Sequence, residues 1–70
     1  MSAFRAVRAP SGWIVRKDGQ DTALSEPTSR LKAWRECRRL ARGAEVEAIL
    51  EDRHGRIAVR NNYSEVKADE

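Results

Sequence analysis

The stretch Arg30-Leu31-Lys32-Ala33-Trp34-Arg35-Glu36-Cys37-Arg38-Arg39-Leu40-Ala41-Arg42 decides how the rest of the chain is read. Wound as a helix at about 100° per residue, it separates into two sides. Ala33, Trp34, Cys37, Leu40 and Ala41 fall on one side; Lys32, Arg35, Arg38, Arg39 and Arg42 fall on the other. Pro27 ends the segment before it, and Thr28 or Ser29 supplies a hydroxyl for the N-cap. Gly43 stands where a glycine at C′ closes a helix.

An apolar stripe of this kind needs a surface to lie on, and the flanking segments supply a sheet. Phe4-Arg5-Ala6-Val7-Arg8 and Trp13-Ile14-Val15-Arg16-Lys17 read as strands around the turn Ala9-Pro10-Ser11-Gly12. Residues 20–27 have no clear period and read as a connection. After the helix, Glu45–Glu51 and Arg56–Asn61 flank a second turn, Asp52-Arg53-His54-Gly55. The expected architecture is α+β, in the order β-β-α-β-β: two antiparallel hairpins forming one sheet, with the amphipathic helix on one face. Residues 1–63 make one domain, and residues 64–70 are a polar tail expected to fray.

The turns set a register. In the first hairpin Ala6 opposes Val15, Phe4 opposes Lys17, Val7 opposes Ile14 and Arg5 opposes Arg16. In the second, Glu51 opposes Arg56, Ile49 opposes Ala58, Glu47 opposes Arg60, Leu50 opposes Ile57 and Ala48 opposes Val59. One sheet face then carries Phe4, Ala6, Trp13, Val15, Val46, Ala48, Leu50, Ile57 and Val59. Trp34 and Leu40 are the expected main knobs of the helix against it. Because strand side chains alternate with period 2, a one-residue slip would turn each of them to the wrong side. Glu47–Arg60 and Glu51–Arg56 are expected as cross-strand ion pairs on the opposite face, contributing about 0.2–1 kcal/mol each.

Two surfaces are left over. The first is the cationic side of the helix: Lys32, Arg35, Arg38, Arg39 and Arg42, with Glu36 as the local acid. The second is the outer sheet face, where Val7, Ile14, Ile49 and Ala58 form an apolar centre with a charged rim, as interfaces do. Charge is also segregated along the chain. The net +3 combines an excess of +6 over residues 1–43 with −3 over residues 44–70.

A core this small contributes only about 3–5 kcal/mol. The single cysteine cannot form an internal disulfide, and one histidine with one cysteine cannot complete a four-ligand zinc site. Association with a second copy is the remaining way to add burial. The N-terminus lacks the apolar segment of a secretory signal, and no run approaches the length of a membrane span. The expected location is the cytoplasm, with no membrane partner.

Gly12-Trp13-x-Val15, Gly19, Thr28 before a helix containing Ala33, Leu40-Ala41-Arg42, and His54-Gly55-Arg56-Ile57 followed by Asn62-Tyr63 form a recurring set of short motifs. Over roughly residues 4–63 the chain resembles a family of small bacterial proteins, domain of unknown function 2188. Family members usually read Asp-Gly-Arg-Ile where this chain has His54-Gly55-Arg56-Ile57, and Ser-Tyr-Gly where it has Asn62-Tyr63-Ser64. The resemblance implies the two-hairpin fold and transfers no catalytic residue.

The residues themselves point away from catalysis. There is no phosphate-binding loop, nucleophile elbow or metal-ligand cluster, and no cofactor motif. Cys37 is the one thiol and lies in the apolar stripe; His54 is the one imidazole and lies in a turn. A general base must reach its nucleophile, and this placement keeps the two apart. The expected function is a non-enzymatic protein-interaction module. It would be homodimeric through Val7, Ile14, Ile49 and Ala58, or docked to an acidic protein through the helix. The alternative is nonspecific binding of a nucleic-acid phosphate backbone through Lys32, Arg35, Arg38, Arg39 and Arg42.

Overall fold

The computed structural model describes residues 3–64. Its elements are β1 (Phe4–Ala9), β2 (Gly12–Lys17), α1 (Arg30–Ala44), β3 (Glu47–Glu51) and β4 (Ile57–Asn62). They form one four-stranded sheet in the order β2-β1-β3-β4. Each hairpin is antiparallel, and the parallel pairing of β1 with β3 joins them. The crossover through α1 makes that parallel junction, so the sheet is mixed rather than purely antiparallel.

The first hairpin has the register read from its turn, from Phe4 opposite Lys17 to Ala9 opposite Gly12. Gly12 has φ +139°, and a Cβ there would stand 3.1 Å from the carbonyl oxygen of Thr28. That close approach reflects a second role for the segment after β2. Trp13 and Thr28 exchange backbone bonds at 2.8 and 2.9 Å, and Leu24 N–H donates to the Val15 carbonyl at 2.7 Å. The segment expected as a plain connection therefore runs along the free edge of β2 and closes it.

The second hairpin departs from its expected register by two residues, for two separate reasons. Asp52 N–H donates to the Arg56 carbonyl at 2.8 Å, so the loop is Arg53-His54-Gly55, one residue shorter than read. Asp52 Oδ1 also accepts from the backbone N–H groups of His54 and Arg56, which fastens this tight loop. A bulge at Ala58 adds the second residue of shift: Glu51 opposes Ile57, but Leu50 opposes Val59. Ile49 then opposes Arg60, Ala48 opposes Asn61 and Glu47 opposes Asn62. Since the shift beyond the bulge is even, Val59 keeps the expected face. Ile57, ahead of the bulge, stands opposite Glu51 and leaves the row it was expected to share.

The helix begins where Ser29 Oγ accepts from Lys32 N–H at 3.2 Å. Thr28, the other capping candidate, is occupied at the β2 edge. The helix does not stop at Gly43. It continues to Ala44, and Glu45 takes the left-handed conformation at φ 61°. Glu45 N–H donates to Arg42 and Val46 N–H to Ala41, the paired bonds of a Schellman closure. Closing there sets Val46 against the core.

The buried core consists of Ala6, Val15, Ala33, Cys37, Ala41, Ala48 and Leu50. Ala33, Cys37 and Ala41 repeat every four residues and form the row that meets the sheet. Trp34 and Leu40, expected as the main knobs, are half-buried flanks of that row. Small side chains on both sides let the helix lie close, and the large ones wrap the margin. The helix packs across β1, β2 and β3, while β4 extends past it. The tail expected to fray falls outside the described residues, except Ser64, which bonds Asn62 Oδ1.

Candidate anion-binding face of the helix

The five expected cations do share one face of α1, and Lys32, Arg35, Arg38, Arg39 and Arg42 line a shallow depression with Glu36. Their settings differ. Arg39 forks onto Glu36, with Nε on Oε1 at 3.0 Å and Nη2 on Oε2 at 2.5 Å. The bond from Arg39 holds the Glu36 carboxyl below the usual carboxylate range. Arg38 reaches back over its own helix, its guanidinium carbon 5.4 Å from the Trp34 ring centroid. Arg42 crosses to the end of β4 and lies 5.7 Å from the centroid of Tyr63. Lys32 and Arg35 are exposed. Stacking leaves a guanidinium charged while restricting where it points.

One further cation–aromatic placement and a second depression were not foreseen from the sequence. Arg30, at the helix start, lies 5.3 Å from the Trp13 centroid. Arg8, Trp13 and Arg53 border a second shallow depression at the hairpin end. Arg8 stands opposite Trp13 in the first hairpin, and the strand order brings Arg53 beside them.

The outer sheet face is different in kind. Val7 and Ile49, expected as an exposed apolar centre, are 7% and 3% exposed within the single chain. Arg5 stands opposite Ile49 on the neighbouring strand and bonds Asp18 at 2.8 Å and Glu51 at 2.7 Å. Glu51 thus takes Arg5 instead of the expected Arg56, because β1 and β3 are neighbours. The Glu47–Arg60 pair does form, at 3.1 Å, but on a diagonal rather than directly across. Ile14 is half-buried and Ala58 exposed. This face pairs its own charges and has already covered its apolar centre.

Cys37 is fully buried, and burial pushes its thiol up to about 11. His54 is exposed in the β3–β4 loop. Among the described residues, no three His, Cys, Asp or Glu side chains gather as metal ligands. No described helix is long and apolar enough to cross a membrane.

The chain belongs to the family of uncharacterized proteins conserved in bacteria designated DUF2188, whose profile matches residues 5–63. No curated protein and no solved structure is detectably similar to it.

Proposed function

We propose that this domain is a non-catalytic binding module for polyanions, engaging the phosphate backbone of nucleic acid through the exposed face of α1. The observation that carries the reading is a contrast between two surfaces. The outer sheet face matches Arg5 with Asp18 and Glu51, Arg60 with Glu47, and Arg16 with Asp21. On the helix face, Glu36 is the one acid among the described residues that line the depression with Lys32, Arg35, Arg38, Arg39 and Arg42. A row of five cations with one acid among them attracts phosphate by charge, and its guanidinium groups add planar, bidentate donors. Arg38 and Arg42, held by Trp34 and Tyr63, lose less freedom on binding than unsupported side chains do.

Fluorescence anisotropy with a labelled duplex of generic sequence tests the reading. Engagement of all five cations gives a log–log salt slope of roughly −4 to −5. The double variant Lys32→Glu with Arg35→Glu touches neither the stacked pairs nor the Arg39–Glu36 pair. It should abolish binding without changing the fold. Binding that ignores salt, or survives the double variant, overturns the proposal. Retention of an acidic protein by this face, with no affinity for duplex, would transfer the site to that partner.

A further inference from the structure

The two edges of the sheet are not alike. Segment 23–28 closes the β2 edge through the Trp13–Thr28 and Arg16–Ala23 bridges. Among the described residues nothing pairs with the far side of β4. The ladder direction is fixed by Tyr63 N–H, which donates to the Val46 carbonyl at 3.3 Å. Alternation along an antiparallel strand then turns the N–H and C=O groups of Arg60 and Asn62 away from β3. Open strand edges of this kind are templates for another strand. The usual shields are weak here. The Ala58 bulge lies near the start of β4, and Glu47 holds the Arg60 side chain over the sheet face rather than across the edge. Beside this edge Ile57 and Val59 are 47% and 40% exposed, and α1 packs mainly on the other three strands.

We infer that the β4 edge pairs antiparallel with β4 of a second copy, giving a two-fold dimer with one continuous eight-stranded sheet. The chemistry of the strand selects the register. An axis on Asn62 would set Arg60 opposite Ser64, past the end of β4. That leaves the axes on Arg60 and Asn61 as the two alignments that use the outward groups of Arg60 and Asn62 within the strand. Centring the axis on Arg60 puts two guanidinium groups directly opposite, which is unfavourable. Centring it on Asn61 puts each Arg60 opposite the other copy's Asn62. The Asn61 amides then face each other, and Val59 stands opposite Tyr63 of the second copy. Each Arg60 brings its own Glu47, so the outer row stays neutral. About four backbone bonds form, in two exchanged pairs. Because the axis runs normal to the sheet, both α1 helices lie on the same side. This inference stands apart from the ligand of α1, and holds or fails whichever polyanion binds.

Sedimentation equilibrium of the whole chain at about 100 μM reads the state directly. The wild type should be a dimer. Asn61→Asp and Asn61→Lys each set like charges across the axis and should each weaken association by roughly tenfold or more. Mixing the two variants should restore the dimer as a heterodimer, which a merely structural role for Asn61 would not produce. Asn62→Pro removes one outward N–H without touching the β3 ladder, and should yield a folded monomer. It serves as the deciding variant if either Asn61 change prevents folding. A monomeric wild type, an undiminished dimer in the variants, or no recovery on mixing of folded variants overturns the inference.

Discussion

Cys37 Sγ donates to the carbonyl oxygen of Ile49 at 3.9 Å, linking the middle of the helix to the middle of a central strand. Cys37 is 0% exposed, in the row between Ala33 and Ala41. The thiol is desolvated, and its pKa rises from 9.0 to about 11. In the unfolded chain it ionises at the lower value. Between the two values the unfolded state has released a proton that the folded state keeps, so stability falls as pH rises through pH 9–11. The loss should reach about 1–2 kcal/mol, after allowing for partial solvent screening. Urea titrations across this range should show it, and Cys37→Ala should remove that dependence. Alkylation of Cys37 at neutral pH should require opening of the helix–sheet interface.

The helix C-terminus separates two readings of one glycine. Gly43 lies inside α1 with nothing within 4 Å of an added Cβ. Gly43→Ala should therefore stabilise the fold by about 0.8–1 kcal/mol through helix propensity. Had Gly43 been the left-handed terminal residue, the same change would cost about 1 kcal/mol. Glu45 holds that conformation instead, so Glu45→Gly should relieve backbone strain. Thermal unfolding of the two variants reports both effects.

These cases show which parts of the fold were legible. The helix and first hairpin follow from patterns confined to a few adjacent residues: the apolar stripe from Ala33 to Ala41, and a turn flanked by strands. The second hairpin depended on the Asp52 side chain tightening its loop and on a bulge at Ala58, neither of which period-2 alternation records. The strand order was not legible either, so the sequence could not assign Arg5 to Glu51 or show that Ile49 would be covered. The cationic helix face was visible as a row of residues. Its stacking partners were not all visible: Trp34 lies four residues from Arg38, but Tyr63 meets Arg42 only through the fold.

The small-residue interface predicts an inverted ranking of core substitutions. Trp34 is half-buried at the margin, whereas Ala6 is 0% exposed beneath the helix. Trp34→Ala should cost about 2 kcal/mol, below the 3–5 kcal/mol of a fully buried aromatic. Ala6→Leu adds atoms where the helix and sheet already touch, and should cost about 3 kcal/mol. Chemical denaturation of both variants tests the order. A milder effect from Ala6→Leu would mean that the helix can lift away from the sheet.

The β3–β4 loop predicts an acid-sensitive local contact. Backbone N–H groups of Arg56 and His54 bond Asp52 Oδ1 and lower its pKa below the ordinary 3.8. The stabilisation is complete above the unfolded value of 3.8 and is lost as pH falls through the lower folded value. Asp52→Ala should flatten this part of the acid limb. Asp52→Asn, which keeps an acceptor oxygen, should retain part of the loop order without the pH dependence. Amide hydrogen exchange at His54 and Arg56 distinguishes the two.

The outer sheet face predicts opposite fates for two isoleucines on either side of β1. Ile49 is 3% exposed, with Arg5 beside it on β1 and Arg60 on β4. A carboxylate there must lose hydration, and Ile49→Glu should cost more than about 3 kcal/mol. That loss rivals the whole stability expected of so small a domain. Ile14 is half-buried on β2, where Ile14→Glu can turn its carboxylate to water and should cost about 1 kcal/mol. Circular dichroism and urea titration should find the Ile14 variant folded and the Ile49 variant largely unfolded. If both fold and differ only in oligomeric state, the outer face is an interface between subunits rather than a surface whose centre is already buried within the single chain.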